Sequence, residues 1–597
     1  MGQPSWEASH ALVYVTYGVF LLVGTGVAWK FRNQSKGEFL AGTRTQTALP
    51  LALNFIASER RQHGCERKSL IESGDGIICS VGAPLGKKKN TQRRTTVDGD
   101  GDLAETTGKP APARLATALG SAILFAYPQL ATIAGVQGVV IYALSSALPL
   151  LAFAALGPII RRKCPEGFVL TEWTRQRYGT AAALYLSAMT LFTLFLYMVS
   201  ELSAIGQVVT LLTGIDGLPV LIVECIITTI YTSMGGFKVS FFTDNIQGAM
   251  VACLIVVAAI TIGVETKIDT SLIESSGLTK PNLLGWQLLY ILPIAILTND
   301  FFLSHFWIRT FSARSDKDLW RGITGAMVGI LVIVTLVGST GLVATWAGIY
   351  PGPPEEPVDG SVAFFALLQQ LPSWVVGIVV VLSVTLSTAA FDSIQTAMVT
   401  SASNDLFRNR LNIWFIRAGV VLLMVPVVVL AIRAPSILQI YLISDLISAA
   451  TIPVLVLGLS DVFYFWRGFE VVVGGLGGLF TVFLFGTAYY GDARLGAELL
   501  LLQQGLFTGD WGCFGAFVAA PVGGLLWGFA ALGLRLGIRY VQARRRGERF
   551  DALDRPEAHH VEQPLGPRRH ADAEAAGEDA ESGSDTPGIS KITGKFF

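Results

Sequence analysis

Residues 374–400 read WVVGIVVVLSVTLSTAAFDSIQTAMVT, and this stretch decides the fold class. A helix of that length rises about 40 Å, which exceeds the roughly 30 Å of hydrocarbon in a bilayer. Asp392 is its single charged residue. Because a charged side chain is costly at that depth, its presence predicts a functional role. The stretch therefore predicts a transmembrane helix that carries a functional carboxylate.

The whole chain has the composition of a membrane protein. Of its 597 residues, 52% are hydrophobic and 15% are charged, and the mean hydropathy is +0.54. The 44 Lys and Arg residues equal the 44 Asp and Glu residues, so no global basic signal points to nucleic acid. Six scattered cysteines without a C-x-x-C pair predict neither a disulfide framework nor a zinc site.

Stretches of sufficient apolar length predict an all-α membrane protein with about thirteen transmembrane helices. The first has no basic n-region or cleavage site, so it is expected to be a retained anchor. The predicted spans are 11–29, 47–58 joined to 118–133, 136–160, 181–212, 217–234, 246–264, 284–304, 323–347, 374–400, 412–432, 436–458, 468–488 and 514–538.

Basic residues follow alternate spans, and short cytoplasmic loops are enriched in them. These residues include Lys30, Lys163, Lys238, Arg309, Arg410, Arg467 and Arg546. The N-terminus is therefore expected outside and the C-terminus in the cytoplasm. Residues 541–597 contain few large apolar side chains and are expected to form a disordered cytoplasmic tail.

Residues 59–117 interrupt an apolar stretch with a polar, charged segment that has no helical or strand period. The flanking pieces 47–58 and 118–133 are each short for a crossing, but joined they make a normal span. Irregular backbone is not tolerated in contact with lipid. We interpret 59–117 as an anomalous insertion such as a translated intron, the alternative being a genuine extramembrane insertion.

Five short motifs occur in an order that resembles the sodium:solute symporter family, whose members carry proline, glucose, pantothenate and, in fungi, urea. The resemblance covers roughly residues 11–490. The motifs are Phe39 with Ala41-Gly42 and Arg44; Thr171-Glu172 with Arg177-Tyr178-Gly179; Gly235-Gly236 with Thr243-Asp244 and Gln247; Trp307 with Arg309; and Ser387-Thr388 with Asp392-Ser393.

The resemblance implies the leucine-transporter fold, in which two inverted five-helix repeats each begin with a helix unwound at mid-membrane. Residues 47–264 would form the first repeat and 265–458 the second. Residues 1–46 would supply an additional N-terminal helix and linker, and 459–540 two peripheral helices. The protein is expected to act as a monomer in the plasma membrane.

The resemblance also implies a site for a coupling Na⁺ or H⁺. By matching positions, its ligands would be the carbonyl oxygens of Ala57 and Leu119 and the hydroxyls of Ser387 and Thr388. The spacing between this hydroxyl pair and Asp392 is longer than in the family, so a register that uses Thr385 stays open. Asp392 lies one turn beyond Thr388, where it could attract the cation or carry a proton. The alternative for each hydroxyl is a bond to its own helix.

Other polar residues within the spans are candidates for substrate binding or gating. Substrate candidates are Glu201, Asp300, Asp445, Tyr127 and Gln129, each with a packing or hydrogen-bonding alternative. Candidates for ion release or gating are Thr243, Asp244 and Gln247, with helix capping as the alternative for Asp244. Glu224 is a further ionisable residue within a span.

These features predict a secondary transporter that couples uptake of a small polar solute to Na⁺ or H⁺ by alternating access. The resemblance favours urea or a polyamine, with sugar, proline or another amino acid as alternatives. A transporter-like membrane sensor is a further alternative. An enzyme is not expected, because no nucleophile and base have a catalytic spacing in a span, and neither a cofactor nor a nucleic-acid partner is expected.

Deletion of residues 59–117 tests the insertion hypothesis. Joining Ser58 to Ala118 restores one continuous span, so uptake should appear or increase relative to the full chain. Radiolabelled solute uptake by the two chains at matched expression gives the comparison, and transcript sequencing gives the origin of the segment. Mature transcripts that retain the segment, together with an inactive deletion variant, would show that the insertion is genuine.

Overall fold

The computed structural model describes residues 3–30, 121, 123–164, 169–353, 358–407, 410–433, 437–503 and 510–554. Within its helices, the side chains of residues 30, 233–249, 251–254, 305, 413 and 416 lie outside the described set. The insertion 59–117 and the predicted half-span 47–58 also lie outside it.

The described parts of the chain are built from helices and contain no strand. Long apolar runs favour this outcome, because a helix satisfies every backbone hydrogen bond within a single segment in lipid. The helices are α1 (Trp6–Lys30), α2 (Ile123–Ala147), α3 (Leu150–Lys163), α4 (Leu170–Tyr178), α5 (Thr180–Thr213), α6 (Gly217–Glu265), α7 (Thr270–Ser275), α8 (Leu283–Phe302), α9 (Ser304–Ser312), α10 (Asp316–Trp346), α11 (Ala363–Leu368), α12 (Ser373–Ser401), α13 (Ile413–Arg433), α14 (Ile437–Val456), α15 (Gly468–Tyr490), α16 (Ala493–Leu500) and α17 (Gly512–Arg546).

Nine helical stretches in these ranges are long and apolar enough to cross a membrane. The sequence predicted about thirteen spans, and the difference from nine has identifiable reasons. The stretch Ile123–Lys163 is counted once although it contains two predicted spans, and the two ends of α6 are counted only as shorter apolar helices. Helix α13 is also not among the nine.

The chain reverses direction inside α2, at Gly135, where φ is +63°. Tyr127 and Tyr142 stack with ring centroids 3.8 Å apart, although residues so far apart in a straight helix would be separated by about 22 Å. A side chain at Gly135 would lie 2.1 Å from the carbonyl oxygen of Leu278. The boundary that the sequence predicted between 118–133 and 136–160 is therefore a tight reversal that requires glycine.

The helix that opens the second predicted repeat is interrupted at Leu303, between α8 and α9. Leu303 has an extended backbone, with φ −74° and ψ 101°. The resemblance implies that the first helix of this repeat is unwound at mid-membrane, and the structure interrupts it near the end of the predicted span 284–304. Two side chains of the interrupted region, Asn299 and Asp300, therefore lie next to non-helical backbone in the core of the bundle.

The loop that the sequence predicted between residues 234 and 246 is helical in the structure, since α6 continues from Gly217 to Glu265. The helix can continue through this segment because residues 233–249 contain no proline, the residue that most strongly ends a helix.

Helix α12 lies at the centre of the bundle and packs against α1, α5, α6, α9 and α13. Most of its side chains are buried, whereas several other helices present large apolar residues outward. Leu22, Ile260, Leu422 and Leu526 are examples, each more than 60% exposed. Such an apolar exterior is favourable in lipid and unfavourable in water, as the composition predicted.

Candidate functional site

A cavity of about 170 Å³ lies among α2, α5, α8, α12 and α14. Its polar lining consists of three carboxylates, four tyrosines, an asparagine and two serines: Glu201, Asp300, Asp445, Tyr127, Tyr142, Tyr197, Tyr441, Asn299, Ser146 and Ser393. No Lys, Arg or His is among the described lining residues. The cavity is therefore acidic and aromatic, and its volume suits a small molecule.

Asp300 and Asp445 form the most acidic part of this lining, and their charges act on each other. Asp300 is 9% exposed, and no hydrogen bond or ion pair to its carboxylate is found among the described residues. Asp445 is 6% exposed and lies beside the Asn299 side chain. A buried carboxylate is stable only when a positive charge or hydrogen bonds compensate it. This part of the cavity therefore carries two carboxylates without a positive side chain among its described lining residues.

Asn299 is held by neighbours that fix its orientation. Its Nδ2 donates to the Tyr197 hydroxyl, and its Oδ1 accepts from the Ser444 hydroxyl at 3.3 Å. The Asn299 amide group is therefore fixed from both sides, next to Asp445.

Glu201 of α5 lies in a different part of the lining, next to the beginning of α2. Its Oε2 accepts hydrogen bonds from the backbone N–H and the hydroxyl of Ser121, both at 2.9 Å. Its Oε1 accepts from the Tyr441 hydroxyl at 3.3 Å. A carboxylate near a helix N-terminus is favourable, because it satisfies free N–H groups and complements the helix dipole. Glu201 thus has a structural role as well as a place in the cavity.

The tyrosines give the cavity flat aromatic surfaces with hydroxyl groups. Tyr127 and Tyr142 stack with an interplanar angle of 1°, and the Tyr127 hydroxyl lies 2.7 Å from the Ser146 hydroxyl. Tyr197 and Tyr441 contact each other with centroids 5.0 Å apart. Aromatic faces attract cations, and their rings also pack against alkyl chains. The lining therefore matches a molecule that has both positive and apolar parts.

The hydroxyls predicted to bind the coupling cation lie on α12, with different partners. Thr388 donates to the Val384 carbonyl at 2.6 Å, and Thr385 to the Val381 carbonyl at 2.7 Å. Ser387 instead donates to Glu224 Oε1 of α6 at 2.8 Å. Each hydroxyl oxygen keeps lone pairs that could contact a cation.

Helices α1 and α6 supply the side chains that hydrogen-bond to Glu224 and Asp392 next to these hydroxyls. The Tyr17 hydroxyl of α1 donates to Glu224 Oε2 at 2.9 Å, and the Tyr231 hydroxyl of α6 donates to Asp392 Oδ2 at 2.7 Å. The residues of α12 that line the cavity are others: Ala390, Ser393 and Ile394. The structure therefore brings Ser387 and Asp392 to the α6 interface and does not bring them into the cavity.

The remaining predicted site residues are placed as follows. Tyr127, Glu201, Asp300 and Asp445 line the cavity, and Gln129 lies on α2 outside the lining. Thr243, Asp244 and Gln247 lie within α6, but their side chains are outside the described set, as are Ala57 and Leu119 altogether.

The sequence reasoning did not single out Tyr142, Tyr197, Tyr441 or Asn299. A usable signal was present on two helices, because Tyr197 precedes Glu201 by four positions and Tyr441 precedes Asp445 by four. That spacing places a tyrosine and a carboxylate on the same helix face. For Asn299, the sequence contained no signal other than its position beside Asp300.

The helical bundle, its interrupted helix and its acidic cavity are those of a polytopic membrane transporter. A solved structure of a Na⁺-coupled sialic acid symporter has the same fold, with a TM-score of 0.59 and 13% sequence identity over 87% of this chain and 98% of that one.

Within that class, the chain belongs to the sodium:solute symporter family, which matches residues 107–466. It is 45% identical over 565 residues to the spermidine transporter DUR31 of Candida albicans, covering 94% of this chain and 96% of that one. It is 29% identical over 123 residues to the urea-proton symporter DUR3 of Oryza sativa subsp. japonica, covering 21% and 17% respectively. The predicted family, fold class and transport function are confirmed.

Proposed function

We propose that this protein takes up a polyamine, a linear molecule with two or more ammonium groups, together with Na⁺ or H⁺. The observation that carries the proposal is the cavity lined by Glu201, Asp300 and Asp445 with no basic side chain among its described residues. A polyamine would offset these charges through its ammonium groups and place its methylene chain along the tyrosines. The similarity to a spermidine transporter over 94% of the chain supports the same substrate class.

Urea, the other solute favoured by the resemblance, fits this lining less well. Urea is neutral, so it would leave the carboxylates of Asp300 and Asp445 uncompensated. An acidic residue in the middle of a membrane helix costs about 2.5–3.5 kcal/mol on insertion scales. A cationic solute offsets that cost when it binds, and a neutral solute does not.

For coupling, we propose that the cation site includes Ser387 and Thr388 of α12, with Thr385 as the alternative ligand and Asp392 as the nearby charge. The carbonyls of Ala57 and Leu119 would complete it, as the family resemblance implies. The proposal is supported by the burial of all four α12 side chains and by the hydrogen bonds that Ser387 and Asp392 make with α6. We also propose a plasma-membrane location with the N-terminus outside, where inward cation gradients would drive uptake.

Asp300→Asn and Asp445→Asn test the substrate assignment. Each substitution removes one charge and little volume, so the half-saturating spermidine concentration should rise roughly 30-fold or more, equivalent to about 2 kcal/mol. Uptake of radiolabelled spermidine, putrescine and urea at matched surface expression gives the measurement. Asp216→Asn, at an exposed helix cap, is the matched control and should leave uptake unchanged. Saturable urea uptake by the wild type, with no spermidine uptake, would contradict the assignment.

Thr388→Ala and Asp392→Asn test the coupling assignment. Both should raise the Na⁺ or H⁺ concentration needed for half-maximal uptake, because each removes an oxygen ligand or a nearby negative charge. Uptake is measured against Na⁺ at fixed pH and against pH without Na⁺. Thr335→Ala removes a hydroxyl that bonds only its own helix on α10, so it serves as control. Cation dependence that is the same in both variants as in the wild type would refute the assignment.

A further inference from the structure

Helix α1 precedes the two repeats that the family resemblance implies, yet it contacts the α6 side chains that hydrogen-bond to the proposed coupling residues. The contacts come from Tyr17 and Gly24, which are both buried. These residues are seven positions apart, which is about two helical turns, so they lie on the same face of α1. Their contacts on α6 are Glu224 and Tyr231, which are also seven positions apart. The two helices therefore meet at two points along matching faces.

At the first point, a buried carboxylate joins α1 to α12. The Tyr17 hydroxyl donates to Glu224 Oε2 at 2.9 Å, and the Ser387 hydroxyl donates to Glu224 Oε1 at 2.8 Å. All three side chains are 0% exposed. A serine hydroxyl has one proton, and Ser387 gives that proton to Glu224, so its lone pairs remain for another partner. Glu224 therefore directs Ser387 to act as an oxygen ligand for a cation.

At the second point, α1 packs closely against the tyrosine that contacts Asp392. The Tyr231 hydroxyl donates to Asp392 Oδ2 at 2.7 Å. A Cβ atom at Gly24 would lie 2.7 Å from Tyr231 Cγ and 3.0 Å from Tyr231 Cβ. Both distances are shorter than the optimal separation of about 3.5–4.0 Å between carbon atoms. Because no side chain fits at Gly24, α1 limits where the Tyr231 ring can lie, and the ring position in turn sets the hydrogen bond to Asp392.

The other two candidate hydroxyls of the coupling site form their bonds within α12. Thr385 and Thr388 donate to carbonyl oxygens one turn earlier on the same helix. Bonds of this kind need only the helix itself. The bonds of Ser387 and Asp392, in contrast, need the α6 side chains to be held in place. These two residues are therefore the members of the coupling site that a neighbouring helix can position.

We propose that α1 positions the coupling site. Tyr17 and Gly24 act through the two α6 side chains just described, and those side chains orient the Ser387 hydroxyl and the Asp392 carboxylate toward the coupling cation. In this arrangement Glu224 is a positioning residue, since it acts on the cation through Ser387. The inference rests on the proposed coupling function of Ser387 and Asp392.

Tyr17→Phe and Gly24→Ala test this inference in the full-length protein. The first removes one hydroxyl, and the second adds one methyl group against Tyr231. We expect each to raise the Na⁺ or H⁺ concentration for half-maximal uptake about fivefold, the equivalent of one lost hydrogen bond. The half-saturating solute concentration at saturating cation should stay unchanged. The measurement is uptake of radiolabelled spermidine at matched surface expression, or of urea if the wild type transports urea instead.

Tyr14→Phe and Gly26→Ala are matched controls on the same helix. Tyr14 is only half-buried, and a Cβ atom at Gly26 would have no neighbour within 4 Å. Both variants should therefore show the cation requirement of the wild type.

A double variant distinguishes positioning from a general structural role. If Tyr17 acts through Glu224, then Tyr17→Phe combined with Glu224→Gln should shift the cation requirement no further than Glu224→Gln alone. A purely structural role would lower surface expression and leave the cation requirement of the folded molecules unchanged.

The outcomes separate this inference from the coupling assignment. The inference fails alone if neither α1 variant changes the cation requirement although Thr388→Ala does. It fails together with the coupling assignment if Thr388→Ala and Asp392→Asn also leave that requirement unchanged. Additive shifts in the double variant would overturn the path from Tyr17 through the α6 carboxylate. If Gly24→Ala does not reach the surface, Tyr17→Phe decides the result alone.

Discussion

The structure depends on one constraint: a carboxylate inside a bilayer must be compensated by hydrogen bonds or by a positive charge. Glu201 meets this constraint through the N–H and hydroxyl of Ser121. Glu224 meets it through Tyr17 and Ser387. Asp300, in contrast, faces the cavity without such a partner among the residues described. The groups that are satisfied internally hold helices together, and the group that is not satisfied is available to a cationic solute.

Two interruptions of regular helix position side chains that line the cavity. The reversal at Gly135 folds α2 back, so that Tyr127 and Tyr142 stack on one side of the cavity. The interruption at Leu303 ends α8 just after Asn299 and Asp300. Gly135 and Leu303 are both buried in protein rather than exposed to lipid, where non-helical backbone is tolerated. The two breaks therefore serve the cavity, and the continuous helices around them provide the rigid frame.

The sequence predicted the helical spans well, because a long apolar run has a single stable form in lipid. Ordered motifs predicted the family, and the cost of buried charge singled out Asp300, Asp445 and Glu201. The sequence could not predict which face of α12 borders the cavity, because almost every side chain of that helix is buried and no polar face marks its orientation. Asp392 and Ser387 therefore contact α6, whereas Ala390 and Ser393 line the cavity.

The central claim is that the acidic, tyrosine-lined cavity binds an organic polycation. An experimental structure of the purified protein with spermidine tests it most directly. The account predicts an extended molecule in the cavity, with one amino nitrogen within hydrogen-bond distance of Asp300 or Asp445 and its methylene chain against the tyrosines. A cavity that contains no spermidine at saturating concentration, or spermidine bound elsewhere in the protein, would contradict the claim.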